Sequence, residues 1–422
     1  MNSQFTWKES LLPVCLAASG FFLPVWIRGT TLFLIIGIVV MILQRKQVQN
    51  PFRRDIRWFS SFSVAIFIWQ FLGMLYTDDL ENGWFNLVQK VPILIFPLFM
   101  GSCPPISAFW KRNIRIAFVV GCILSGTYLF VKAVQAYLIG HDPIVFTYVR
   151  FSPDLHPSYL ALYMSVALYF SAEAILSAKQ TSTLLVWSVA LLVCYGFIVL
   201  FQSKAGLICG SLVVVYGCVQ FIRKSRKWLP AILLFSGLIL LNAGLNYFEK
   251  DRIDSRINQA VVSLKQHTSS TENKDSSQQR VDVWKACWKV IQQQPLLGTG
   301  AGDVQSALLA EYTRSGMAAA AEKRLNAHNQ YLQQLIAGGI LAALLLVFWI
   351  FLSASAEKRP FHLASWVIPG LIGINLLTES MLESQWGILA IAFFLSLNRL
   401  DFSPLRKRND VSDSDSPFRK EA

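Results

Sequence analysis

Charge is scarce in this chain. Only 15% of its 422 residues are Asp, Glu, Lys or Arg, whereas 54% are hydrophobic. A soluble domain carries about a quarter charged residues, so a soluble globular body is excluded. The seven cysteines (Cys15, Cys103, Cys122, Cys194, Cys209, Cys218 and Cys287) show no CxxC or metal-ligand spacing, and most fall inside apolar runs. That excludes a disulfide framework and a zinc site, and leaves them as small packing residues. The first apolar run lacks a basic region followed by a small-residue cleavage site, so it is expected to stay as a span. No strong internal repeat is visible, and the 3+3 inverted symmetry common in transporters is missing.

What the sequence has instead is repeated apolar runs, most of them roughly 17–25 residues long, the length that crosses a bilayer as a helix. The expected fold class is all-α: a polytopic transmembrane helical bundle of about twelve spans with one large periplasmic helical segment. The spans are read at 11–27, 30–43, 58–76, 84–100, 114–137, 156–176, 183–201, 205–222, 228–245, 328–352, 361–377 and 386–397. Residues 1–245 then hold nine spans, 246–327 the polar segment, 328–399 three spans, and 400–422 a charged, Ser-rich tail expected to be disordered.

The net charge of +13 would suggest nucleic acid in a soluble protein. Here the cations sit in short loops between spans: Arg45, Lys46, Arg53, Arg54 and Arg57; Lys111, Arg112 and Arg115; Arg223, Lys224, Arg226 and Lys227; Lys358 and Arg359; Arg406, Lys407 and Arg408. They alternate with acidic or polar loops such as Asp78-Asp79-Leu80-Glu81. The positive-inside rule explains this without a nucleic-acid partner and puts both termini in the cytoplasm. The polar segment, the 138–155 loop and the Ser203-Lys204 turn then face outward.

The polar segment subdivides. Residues 247–266 have the spacing of an amphipathic helix on a membrane surface. Residues 268–279 read as a flexible linker. Residues 280–294 read as a helix with Val281, Trp284, Trp288 and Ile291 on one face, opened by Arg280 and stopped by Pro295. Gly298, Gly300 and Gly302 build a turn, and Asp303 is expected to cap a helix through about Thr313. The turn resembles a nucleotide loop only superficially, because no strand precedes it.

The candidate chemistry collects on the outward face. His328, where the chain re-enters an apolar run, suits a general base; the plainer reading is an interfacial histidine. Arg280 at a helix start suits an anion, or is a surface arginine. Lys204 sits in a tight turn, facing a polar cavity or snorkelling to headgroups. Arg150 and His156 flank the outer end of the sixth span, and Pro157 fits a first helical position. Lys90 lies in or near an apolar run, where a cation needs a cavity or an anion. Glu379 and Glu383 are expected to share one helical face, orienting Arg280 or His328 or capping the loop. Together these residues imply a polyanionic ligand, a phosphate or diphosphate, at the outer interface.

Several stretches carry a family resemblance. Arg280-Val281-Asp282-Val283-Trp284-Lys285-Ala286, Gln294-Pro295-Leu296-Leu297-Gly298-Thr299-Gly300, Ala327-His328-Asn329-Gln330-Tyr331-Leu332 and Gly338-Gly339-Ile340 resemble the O-antigen ligase and polymerase superfamily. His156-Pro157-Ser158-Tyr159 and Ser203-Lys204-Ala205-Gly206 agree with it. The resemblance implies a GT-C type glycosyltransferase of the bacterial inner membrane with its site facing the periplasm. Such an enzyme moves a glycan from undecaprenyl diphosphate to a hydroxyl acceptor, such as the lipid A core, with inversion and without metal or cofactor. It implies Arg280 on the diphosphate and His328 as the base or as the group placing the acceptor hydroxyl. Lys204 would stand where an arginine is usual, and Arg150, His156, Lys90 and Glu379 would contact substrate. Ligase, repeat-unit polymerase and protein O-oligosaccharyltransferase remain open as branches. A lipid-linked glycan transporter is the rival from another class.

Overall fold

The computed structural model describes residues 7–44, 48–53, 55–226, 237, 276–354 and 363–402. Among these every regular element is helical. The chain runs α1 (Trp7–Phe22), α2 (Ile27–Leu43), α3 (Arg57–Leu72), α4 (Leu80–Ser102), α5 (Ala108–Gly140), the short α6 (Tyr148–Phe151), α7 (Pro157–Ser177), α8 (Thr181–Phe201) and α9 (Lys204–Ser225). It resumes with α10 (Ser276–Gln293), α11 (Val304–Arg314), α12 (Ala318–Glu322), α13 (Gln330–Ala354), α14 (Leu363–Thr378) and α15 (Gln385–Phe402). Seven helices among the described residues are long and apolar enough to cross a membrane, and four shorter apolar ones accompany them. The expected span 228–245, the amphipathic helix 247–266, the linker up to residue 275 and the tail from residue 403 lie outside the described residues. So do Arg45, Lys46, Arg54, Lys227, Lys358, Arg359 and Arg406 to Arg408.

Helix starts follow local chemistry. Asp79, Ser107 and Ser203 each accept a backbone N–H from the first turn they precede, and Pro157 occupies the first position of α7. Two helices are apolar over most of their length and accordingly sit in the middle of the bundle: residues 157–172 of α7 and 387–400 of α15 are buried on every face, Asn398 and Arg399 at the end of α15 included.

The bundle has two chemically distinct ends. At one, two cations meet carbonyls that close helices, Lys111 Nζ at the Leu400 carbonyl (2.8 Å) and Lys224 at Leu176, and Arg399 donates to the Asp55 carbonyl just before α3. The opposite end collects the 73–79 loop, the 141–156 loop, the turn before α9, the 276–329 segment and the turn between α14 and α15.

The 276–329 segment packs its own small core from Val283, Cys287, Val290, Leu308 and Tyr312. Trp284 donates its indole N–H to the Ala327 carbonyl (3.0 Å). Two expectations change here. Val281 and Trp288 are exposed; the buried face of α10 runs through Val283, Cys287 and Val290, one register over. The helix also begins at Ser276, so residues 276–279 are its first turn and not linker. Ser and Gln are polar without being helix breakers, and composition alone misplaced the boundary.

The glycine turn is a structural joint. Thr299 N–H and Gly300 N–H donate to the Ile336 and Ala337 carbonyls, and Ile340 N–H donates back to Pro295 (2.7, 3.2 and 3.0 Å). The turn thus pairs with α13 where that helix breaks, at Gly338 and Gly339. The carboxylate of Asp303 does not cap α11. It accepts Thr77 Oγ1–H, Asp78 N–H and Asp79 N–H at 2.7, 2.7 and 2.9 Å, tying the segment to the loop between α3 and α4. Gly339 has φ 65° and ψ −164°, and a Cβ there would lie 2.0 Å from the Leu296 carbonyl oxygen. Gly339→Ala is therefore expected to lose about 2–5 kcal/mol from strain and overpacking. Gly370→Ala, where a Cβ meets nothing within 4 Å, serves as the control. Melting temperatures in detergent check this; equal values for the two variants would contradict it.

Candidate active site

The site is organised around one carboxylate. Glu379 follows the last turn of α14, held by its N–H to the Asn375 carbonyl, and is only 5% exposed. Its Oε1 lies 3.2 Å from His328 Nδ1. Its Oε2 lies 3.7 Å from His156 Nδ1 and 3.9 Å from Arg280 Nη2. Three groups from distant parts of the sequence therefore converge on it. Oε2 is buried and has no hydrogen-bond partner among the described residues, so a small approach of Arg280 would complete that pairing.

The backbone around His328 explains its aim. Asn329, not His328, caps α13: its Oδ1 accepts Tyr331 N–H and Leu332 N–H at 2.9 and 3.1 Å. His328 itself sits in the left-handed region at φ 45°, its N–H bonded to Asn326 Oδ1. That conformation turns the imidazole off the helix axis and toward Glu379. Two further bonds stitch the facing turn to the start of α13: Asn329 N–H to Ser380 Oγ (3.2 Å) and Leu382 N–H to Gln330 Oε1 (2.6 Å). With Glu379 ionised, Nδ1–H donates to Oε1, which leaves the lone pair of a neutral imidazole on Nε2.

Electrostatics favour that charge state. Burial alone would push the Glu379 carboxyl up. The His328 hydrogen bond, with His328, His156 and Arg280 nearby, outweighs it and holds the group below the usual glutamate value. His156 goes the other way. Burial pushes it down; Glu379 pulls it up, while Arg280 and His328 push it down further. Its Nδ1 accepts Ser158 N–H at 3.4 Å, so the ring proton sits on Nε2 and donates to Tyr148 Oη, 3.3 Å away.

The other expected site residues distribute unevenly. Lys90, 4% exposed, has its Nζ 3.4 Å from Glu383 Oε1, which also accepts Gln330 Nε2–H at 3.2 Å. A buried cation thus has its anion and braces the turn that carries Glu379. Lys204 is exposed at the first position of α9, next to Ser203, whose Oγ is 3.4 Å from Ser158 Oγ. It therefore stands at the same end of the bundle as His156. Arg150 is half exposed and donates to Asp142 Oδ2 at 2.8 Å, within its own loop. Glu379 and Glu383 do not share a helical face. A short 3-10 turn, Met381–Glu383, separates them and sends one carboxylate to His328 and the other to Lys90.

Sequence reading missed Tyr148, Asn329 and Ser380. Asn329 was legible, as an Asn directly before a helix. Tyr148, at φ 49° in an irregular loop, left no pattern to find. A cavity of about 250 Å³ between α7, α8 and α9 is lined by aliphatic residues such as Leu168, Leu191 and Val213, and holds none of these groups.

No curated protein matches the chain. The family model described as O-antigen ligase matches residues 160–347, from the first turn of α7 to the lower half of α13. The match contains Lys204, Arg280 and His328; His156 lies just before its start, and Glu379 lies well beyond its end. With seven helices long and apolar enough to cross a membrane among the described residues, the chain reads as a membrane protein, and the match over residues 160–347 supports the O-antigen ligase superfamily for that part of it.

Proposed function

We propose that the chain is a glycosyltransferase that moves a glycan from undecaprenyl diphosphate to an outer-leaflet hydroxyl, with the lipid A core as acceptor, by inversion and without a metal. The observation that carries this reading is the convergence of Arg280 and His328 on Glu379. An anion-binding group and a proton acceptor stand within one side chain's reach of each other.

The step balances with these groups alone. The acceptor oxygen attacks the anomeric carbon and forms the new glycosidic bond. The bond from that carbon to the diphosphate oxygen breaks, and its electron pair leaves with the polyprenyl diphosphate. The acceptor proton passes to His328 Nε2, and the resulting imidazolium is held by Glu379 Oε1 through Nδ1. Arg280 meets the charge that develops on the leaving group, with Lys204 and Arg150 on the same end of the bundle as further cations. His156, hydrogen-bonded to Tyr148, shapes the wall beside Arg280. The driving force lies in the donor's glycosyl diphosphate bond.

The reading includes about twelve spans, an inner-membrane location and a site facing the periplasm. Lys111, Lys224 and Arg399 at the end opposite the site support that orientation through the positive-inside rule.

The test is purified protein in detergent with a polyprenyl diphosphate-linked glycan and, in separate reactions, lipid A core, a second carrier-linked repeat, or a protein acceptor. A covalent lipid A core product with release of polyprenyl diphosphate is expected. Product only with carrier-linked repeats, or only with protein, would replace the ligase branch by that branch. No covalent product with any acceptor, together with movement of intact donor across proteoliposomes, would end the reading in favour of a transporter.

A further inference from the structure

The 276–329 segment is polar, yet its Pro295–Leu296–Leu297 turn presents two leucines outward, 70% and 52% exposed. They point away from the segment's own core, which is built from Val283, Cys287, Leu308 and Tyr312. They are not loose. The turn is fastened to α13 by the three backbone bonds at Ile336, Ala337 and Ile340, and Tyr76 Oη donates to the Leu297 carbonyl at 2.7 Å. A protein that fixes two leucines in place on its surface gives them something apolar to touch.

Two observations identify that surface. The first is height. The turn is joined to α13 at the Gly338–Gly339 break, and residues 340–354 continue as helix toward the basic end. Residues 340–354 already supply about 22 Å of helix, most of a hydrocarbon core of about 30 Å, so the turn stands at the level of the outer acyl chains. The second is continuity. Ile340, bonded to the Pro295 carbonyl, is 46% exposed on the α13 span, and Leu75, which directly precedes the Tyr76 that bonds Leu297, is 77% exposed at the outer end of the α3 span. Tyr76 and Trp84 supply the amphipathic rings that favour the interface.

We propose that the Pro295–Leu296–Leu297 turn is a membrane contact, seated among the acyl chains just below the headgroups. The occupant of this face is the lipid bilayer. The segment carrying Arg280 before the turn and His328 after it is thereby pinned to the membrane surface at its middle. Tyr76 and the Asp303 bonds to the 77–79 loop hold it from the side. This holds whatever reaction the site performs.

The experiment uses the full chain in lipid nanodiscs. Leu296→Cys and Leu297→Cys are spin-labelled, with Gln292→Cys as an exposed polar control and Leu344→Cys as an exposed position on the α13 span. Six of the seven native cysteines are buried, and signal from the labelled parent chain is subtracted. Collision rates are read with oxygen, which partitions into lipid, and with a water-soluble nickel chelate. Labels at 296 and 297 are expected to match 344, with oxygen collisions dominant. A nickel-dominated profile like that of 292 would overturn the proposal and place the turn in water. Shielding from both reagents would also overturn it, and would indicate that protein covers this face. The readout involves no glycan transfer, so it stands or falls separately from the proposed activity.

Discussion

Replacing His328 with alanine is expected to lower the turnover of glycan transfer by about 10²–10⁴-fold, the usual contribution of a placed general base. Donor binding should change far less, because in the proposed mechanism the imidazole takes its proton in the transition state and is not needed to hold the diphosphate. In that mechanism Glu379 acts through His328, so Glu379→Gln is the informative companion. The carboxamide keeps the shape and one acceptor oxygen but loses the charge that faces the imidazolium. It also lets the ring settle in the other tautomer, with Nε2 protonated. Glu379→Gln should therefore lower kcat with a smaller change in KM, and adding it to His328→Ala should cost little more, because groups acting as a unit are not additive. Membrane insertion and the melting temperature of each variant separate this from misfolding. Full turnover in well-folded His328→Ala would remove histidine from the chemistry and return Glu379 to consideration as the base.

The placement of the seven long apolar helices was legible because it rests on one strong signal. A run of apolar residues long enough for a bilayer becomes a helix almost regardless of detail, so 183–201 was read within two residues of Thr181–Phe201. The site was legible in part. Arg280 and His328 could be picked as charge-bearing residues at the edges of a polar stretch, and Glu379 and Glu383 as carboxylates to orient them or cap the loop, but nothing local chose Glu379 over Glu383 or over the capping role. Glu379 and Glu383, four apart, suggest one helical face; the intervening 3-10 turn, set by bonds to Asn329 and Gln330, sends them in different directions. That is a tertiary fact with no local signature. Asp303 shows the same limit. Its position before α11 fits an N-cap, yet three donors of the 77–79 loop offer its carboxylate a better set of bonds. Gly339 is instructive in reverse. It lies inside a strongly apolar run, and nothing in the run says that the helix breaks there to receive the Gly298 turn.

Arg280→Ala is expected to lower kcat/KM by about 10²–10³-fold, the scale for removing one group that stabilises developing negative charge. The structure changes the physical basis of this expectation. With α10 beginning at Ser276, Arg280 lies in the second turn, so the free N–H groups of a helix start do not assist it. The guanidinium must meet the diphosphate by its own charge and geometry. Its partner is Glu379 Oε2 at 3.9 Å, a separation too long for a formed hydrogen bond. Arg280 is thus held near the centre by a carboxylate that competes weakly for it, and the proposed diphosphate, with more charge, would draw it away. Arg280→Lys tests the geometry separately from the charge: an ammonium keeps the attraction but loses the bidentate fork. It should recover part of the donor affinity while leaving kcat below that of the parent. If Arg280→Ala instead transfers glycan at the parent rate with parent KM, the leaving group is stabilised elsewhere. Lys204, exposed at the start of α9 on the same end of the bundle, is then the cation to replace next.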